Sequence, residues 1–197
     1  MPRCSLRALA ELDQKSSHKI HLLNLSCAEV LILSFGVLFT PYFIWTAPVI
    51  VYFLTLVHLK DSGSFRSAGP LLSNSLQAGV LYILTAILMT FAVVIMKRRF
   101  GRQRPILINE NRLIDLRTRE TNKAFPSGDT AHSSLFAFFI LLHLQSPYWV
   151  FVVPLTAFAR IYYQCHWIGD TIAGTVVGLV FATISYAICD IEKGAFF

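Results

Sequence analysis

What most constrains this chain is the spacing of its charge. Runs of about 20 apolar residues, long enough to cross a bilayer core at about 1.5 Å rise per residue, alternate with polar segments. Only 14% of the 197 residues are charged, 55% are hydrophobic, and the mean hydropathy is +0.58. A soluble domain carries about 25% charged residues, so this chain has too little charge for a solvated shell. The expected fold is all-α: a six-helix transmembrane bundle forming one integral-membrane domain over 1–197, with an N-terminal tail over about 1–19. The expected spans are 20–40, 42–59, 75–96, 128–144, 148–162 and 167–188. Pro41 divides the first two, with one long kinked helix as the rival reading there. Residues 1–19 lack the pattern of a cleaved signal peptide, so the first apolar run is expected to be retained.

The charge balance of +6 would suit nucleic acid or anionic lipid, but its distribution argues for something more local. Nine of the 17 Lys and Arg fall between Lys97 and Lys123, inside a connector bounded by apolar runs. This fits an anion site at the membrane surface better than a nucleic-acid track. Charge beside a bilayer core is costly, about 2.5–3.5 kcal/mol per residue on insertion scales, and so marks function by default. The four cysteines (Cys4, Cys27, Cys165, Cys189) have no CxxC spacing; they indicate neither a zinc site nor a disulfide framework and read as packing residues. No oligomeric state follows from the sequence.

Three short runs lie at the ends of apolar segments. In KRRFGRQRP, Lys97 and Arg104 are seven residues apart, about two helical turns, and both cations could reach one phosphate, Arg as a fork and Lys as a point charge. The plainer reading is a basic cluster facing lipid headgroups, which suits Arg98, Arg99 and Arg102. In FPSGDTAHSS, Ser127 and Gly128 open a helix whose free N–H groups could hold an anion, with Ser127 adding a hydroxyl; an ordinary Ser cap is the alternative. Asp129 in the first turn would repel a phosphate unless it carries a proton to donate. In ARIYYQCHWIGDT, His166 and Asp170 are four apart. On a helix they share a face, so the carboxylate can hold one imidazole nitrogen while the other attacks, with Arg160 six residues upstream. Because successive spans alternate in direction, all three runs are expected to emerge on one side.

In order and spacing the three runs resemble the type 2 phosphatidic acid phosphatase superfamily, whose signature is Lys, six residues, Arg-Pro; then Pro-Ser-Gly-His; then Ser-Arg, five residues, His, three residues, Asp. The resemblance covers about 96–188. It implies a six-helix membrane phosphatase acting on a lipid phosphate substrate, with no metal or other cofactor. Lys97, Arg104, Ser127, Gly128 and Arg160 would bind phosphate, His166 would be the nucleophile and Asp170 its partner. Two positions depart from the signature: Ala159 replaces Ser, and Asp129 replaces the His that protonates the leaving oxygen. Asp129 is expected to take over as the acid, with His132 three residues on able to share or relay the proton. A phosphotransferase using the same phosphohistidine and a catalytically inactive lipid-binding relative are the alternatives. With a cytoplasmic N-terminus the site would face the extracytoplasmic or lumenal side, as the superfamily usually implies, although nine cations in the 97–123 connector run against a positive-inside count.

Overall fold

The computed structural model describes residues 2–40, 42–61, 68–108 and 112–194. Among these residues all regular structure is helical: α1 (Pro2–His21), α2 (Glu29–Leu38), α3 (Phe43–Asp61), α4 (Ala68–Phe100), α5 (Gly128–Leu144), α6 (Val152–Tyr162) and α7 (Ile168–Gly194), with single 3-10 turns at Ser26–Ala28 and Pro147–Trp149. By length and composition, three segments can cross a membrane on their own: Phe43–Asp61, Leu71–Phe100 and Ile168–Cys189. The fourth and fifth expected spans are the shorter helices α5 and α6, of 17 and 11 residues.

At the centre stands α5, buried along most of its length. Ser127 caps it, accepting the Thr130 N–H on its hydroxyl at 3.4 Å, and Gln145 ends it in the left-handed region at φ 52. Its most extensive packing is against α7, and two glycines one turn apart permit it. A Cβ on Gly174 would stand 2.5 Å from the Ser127 carbonyl oxygen, and one on Gly178 2.4 Å from that of Ala131. Small residues four apart let helix backbones meet this closely in a bilayer. The contact continues into hydrogen bonds, with the Ser134 hydroxyl donating to Thr175 O at 2.7 Å and the Ser127 N–H to Asp170 O at 2.9 Å. The first turns of α5 and α7 are therefore locked side by side. Phe39, Phe43, Tyr82, Phe136, Phe139 and Trp149 pack edge to face around α5 and tie α2, α3 and α4 to it. Leu84, Leu88, Phe91 and Ile95 of α4 and Ile172, Val176 and Ile184 of α7 remain exposed, as a lipid-facing surface requires.

The N-terminal segment departs from expectation. The apolar run 20–40 is interrupted near its start, after His21, and the helical segments on the two sides of the break, Ala8–His21 and Ser26–Leu38, are bent by 82°. Contacts from distant residues hold the break. Arg112 donates to the carbonyls of His21 and Leu23, each at 2.9 Å, and lies 3.5 Å over the Tyr162 ring, whose hydroxyl accepts the Leu25 N–H at 3.3 Å. Backbone groups freed by a helix break need partners, and here they come from about 90 to 140 residues downstream. Residues 2–19 of the stretch expected as a tail are instead part of a helix docked against α6 and α7. Separate helices also replace the rival single kinked helix around Pro41. Of the cysteines, Cys165 is buried, Cys189 partly so and Cys27 exposed, the last against expectation; the side chain of Cys4 lies outside the described residues.

Candidate active site

The C-terminal end of α4, the first turns of α5 and α7 and the last turn of α6 all come to one end of the bundle. Each of the three sequence runs contributes there. α4 stops at Phe100, and Gly101 turns the chain in the left-handed region at φ 59. Lys97 thus sits on the helix while Arg104 reaches in from the connector, which replaces the expected two-turn spacing on one helix face. The Lys97 ammonium donates to Lys123 O at 2.7 Å. Arg104 donates to the carbonyl oxygens of Asn122 at 2.8 Å and Cys165 at 2.7 Å, and its Nη1 lies 3.3 Å from His166 Nε2.

His166 lies in the turn between α6 and α7. The C-terminal turn of α6 makes this possible: the N–H groups of Cys165 and His166 both return to the Arg160 carbonyl, and Gln164 adopts φ 56. The imidazole is buried, with Nδ1 3.6 Å from Asp170 Oδ2 and Nε2 facing Arg104. Burial, reinforced by the positive fields of Arg104, Arg160 and Lys97, holds the His166 pKa well below its usual 6.5. The ring is therefore neutral at physiological pH, with the Nε2 lone pair on the side of the arginines. Burial also raises the neighbouring Cys165 thiol to about 11, which removes it as a nucleophile.

Arg160, 2% exposed, donates to Gly36 O at 3.0 Å and pairs with Asp129 Oδ2 at 2.9 Å. Ser127 lies at the same end, its hydroxyl 2.9 Å from that of Thr130 and engaged as the α5 cap, with Gly128 opening the helix behind it. His132 lies deeper. Its Nε2 is 3.1 Å from Thr90 Oγ1, and since the Thr90 proton goes to Ala86 O at 2.7 Å, His132 must be the donor. That ring points its Nε2–H at α4.

Four residues that the sequence did not assign to the site complete it. Glu120 stands between the two arginines: one carboxylate oxygen lies 3.0 Å from Arg104 Nη2, and the other accepts a short hydrogen bond from Arg160. Burial disfavours its charge, but Arg160 and Arg104 outweigh that and hold its carboxyl below the usual range. Arg102, expected to face lipid headgroups, instead bridges Asp170 at 2.8 Å and Asp13 at 2.6 Å. Asp13 and Ser17 of α1 then bond the first N–H groups of α7. Glu120 gave no signal because it is one charge among several in a polar connector. Asp13 and Ser17 are an i, i+4 polar pair, but their partners lie about 90 to 155 residues away.

A family profile described as the PAP2 superfamily matches residues 78–192. The fold is similar to a transmembrane PAP2-type phosphatidylglycerolphosphate phosphatase from Bacillus subtilis, at 18% identity and TM-score 0.67 over 93% of this chain and 87% of that one. It is also similar to Aquifex aeolicus LpxE, at 24% identity and TM-score 0.62 over 88% of this chain and 94% of the other. A search of curated proteins returned no match. With all three runs gathered at one end of a helical membrane bundle and more than half of the chain matched by the profile, this protein belongs to the PAP2 superfamily.

Proposed function

We propose that this protein is a membrane phosphatase that hydrolyses the phosphate monoester or pyrophosphate of a lipid through a phosphohistidine. The observation that carries this reading is Glu120. Its carboxylate bridges Arg104 and Arg160 while Arg104 also touches His166 Nε2, so the basic cluster already holds an oxyanion beside a neutral imidazole. A substrate phosphate takes the place of that carboxylate, held by Arg104, Arg160, Lys97 and the N-terminal turn of α5 at Ser127 and Gly128.

His166 Nε2 attacks phosphorus as the bond to the lipid oxygen breaks. Asp129 yields Arg160 to the substrate phosphate and enters the step as the neutral carboxylic acid, having taken up a proton as the anionic substrate binds. It gives that proton to the leaving oxygen. Asp170 stabilises the positive charge that develops on the ring from the Nδ1 side. Water then attacks the phosphohistidine, its proton passing to Asp129, and inorganic phosphate leaves. Preorganised donors dominate such chemistry, each worth about 2.7–4 kcal/mol in comparable oxyanion sites. His132, committed to Thr90, stays outside this proton path.

The position of α1 also bears on which side the site faces. Lys15 and Lys19 join the connector cations at the site end, while Lys60 marks the other end of α3. Because positively charged flanks favour the cytoplasm, this distribution runs against the extracytoplasmic or lumenal side that the resemblance implies and that we retain for the site. The test of function is phosphate release by purified protein from phosphatidate, phosphatidylglycerol phosphate, a polyprenyl pyrophosphate and a lipid A type phosphate. Release from at least one, lost in His166→Ala, is expected; release from none, or release unchanged in His166→Ala, defeats the proposal and leaves an inactive lipid-binding relative.

A further inference from the structure

The N-terminal helix reaches the proposed catalytic carboxylate through a chain of charged hydrogen bonds. Asp13 Oδ2 accepts from Arg102 Nη2 at 2.6 Å, and Arg102 Nη1 donates to Asp170 Oδ1 at 2.8 Å. The other Asp170 oxygen accepts the Trp167 N–H at 2.9 Å and lies 3.6 Å from His166 Nδ1. Both oxygens of Asp170 are thus committed, and one of the commitments is set by a residue 157 positions upstream.

The second half of the device is a helix cap supplied by another helix. Helix N-termini leave N–H groups without intrahelical partners, which a side chain just before the helix usually satisfies. In α7 that position is Trp167, which offers no acceptor. Ser17 Oγ accepts the Ile168 N–H at 3.0 Å and Asp13 Oδ1 accepts the Gly169 N–H at 2.9 Å, so α1 supplies the cap. Asp170 completes it by reaching back to the Trp167 N–H, the reciprocal half of a capping box. Approach this close needs a bare residue at 169, where a Cβ would stand 2.9 Å from Asp13 Oδ2 and 3.4 Å from Arg102 Nη1.

From this we infer that α1 is part of the catalytic device, and that Asp13, acting through Arg102 and the capped N-terminus of α7, is a positioning residue that holds Asp170 against His166. The inference rests on the reading of His166 as nucleophile and Asp170 as its partner. Without Asp13, Arg102 and the first turn of α7 lose their anchor on α1, and Asp170 is left to the Trp167 N–H and an unanchored Arg102. Displacing a catalytic group by about 1 Å can cost about 10²-fold in rate.

The test compares kcat and KM in mixed micelles for whichever of the four lipid phosphates named above wild type hydrolyses fastest, using wild type, Asp13→Asn, Asp13→Glu, Arg102→Gln and the Asp13→Asn/Arg102→Gln pair, with orthovanadate binding to each. The expected result for Asp13→Asn and Arg102→Gln is a fall in kcat of about 10- to 100-fold, with KM and vanadate binding within about threefold of wild type. The double variant should be no worse than the poorer single, and Asp13→Glu should recover part of the loss. Gly169→Ala should reproduce the Asp13→Asn defect by pushing the carboxylate aside. A kcat for Asp13→Asn within about twofold of wild type overturns the inference, as do multiplying effects in the pair. Loss of vanadate binding together with kcat also overturns it, since α1 would then serve the fold and not Asp170. In the first two of these cases His166→Ala still abolishes turnover and the catalytic reading stands; a wild type without turnover sinks that reading and this inference together.

Discussion

The N-terminal third and the region from α4 to α7 answer to different physics. From α4 onward, each helix has one end in or beside one of the three runs, and that end delivers a group to the site: Lys97 at the end of α4, Ser127 and Asp129 at the start of α5, Arg160 at the end of α6, Asp170 at the start of α7. In the N-terminal third an apolar run as long as a span is interrupted near its start, between His21 and Ser26. The helical segments on either side of the break lie at 82°, and α1 docks onto the site end. Apolar length alone shows that a segment avoids water; whether it crosses is decided by what satisfies its backbone, here Arg112 and Tyr162. Residues that read as a tail thereby become part of the site's frame.

The largest effect that sharpens this contrast belongs to the C-terminal region. Asp170→Asn should lower kcat by about 10⁴-fold, as removal of the group orienting a catalytic His does elsewhere, against the about 10- to 100-fold expected for Asp13→Asn at the far end of the same hydrogen-bonded chain. Equal losses would break the distinction between a group that meets the imidazole and one that acts through it. Next comes Asp129→Asn, for which a fall of about 10²- to 10⁴-fold in kcat, larger than any change in KM, is the expected mark of a lost general acid; unchanged turnover in steady-state assays would move the acid elsewhere.

Glu120→Gln should act in the opposite sense on binding. Removing the internal anion is expected to tighten orthovanadate binding by about tenfold, measured by competition against substrate; weaker binding would mean that Glu120 supports the cradle instead of occupying it. A smaller effect concerns pH. Protonation of His166 stops attack, and its pKa is pushed down by burial and three cations, so the acid limb of kcat/KM, which reports the free enzyme, should lie well below pH 6.5. An acid limb at or above 6.5 would mean that the imidazole is less buried or less surrounded by positive charge.

Much of the site was legible in the sequence because helix ends impose it: motifs at apolar boundaries must meet when successive helices reverse. The α5 boundaries, 128–144, emerged from hydropathy unchanged because Ser127 and Gln145 terminate the helix locally. The bend after His21 was not legible, since its stabilising partners are far downstream. Arg102 was misread for the same reason: its local sequence is that of a headgroup-facing cluster, and only folding brings Asp13 and Asp170 to its two nitrogens. The topology is open to a direct check in sealed vesicles. Cysteines introduced for Lys15 and for Arg119 should react with an impermeant maleimide from the same side, opposite to one introduced for Tyr148; labelling of positions 15 and 119 from opposite sides would restore the unbroken first span.

The central claim is that the ring at 166 takes the phosphoryl group. Rapid acid-free quenching of the purified protein with ³²P-labelled lipid phosphate, followed by mapping of the label, tests it most directly. The expected result is an acid-labile, base-stable label on His166, formed at a rate no slower than turnover, absent in His166→Ala and accumulating in Asp129→Asn if its loss slows water attack more than transfer. Full turnover by His166→Ala, or a label residing on another residue, would contradict the account.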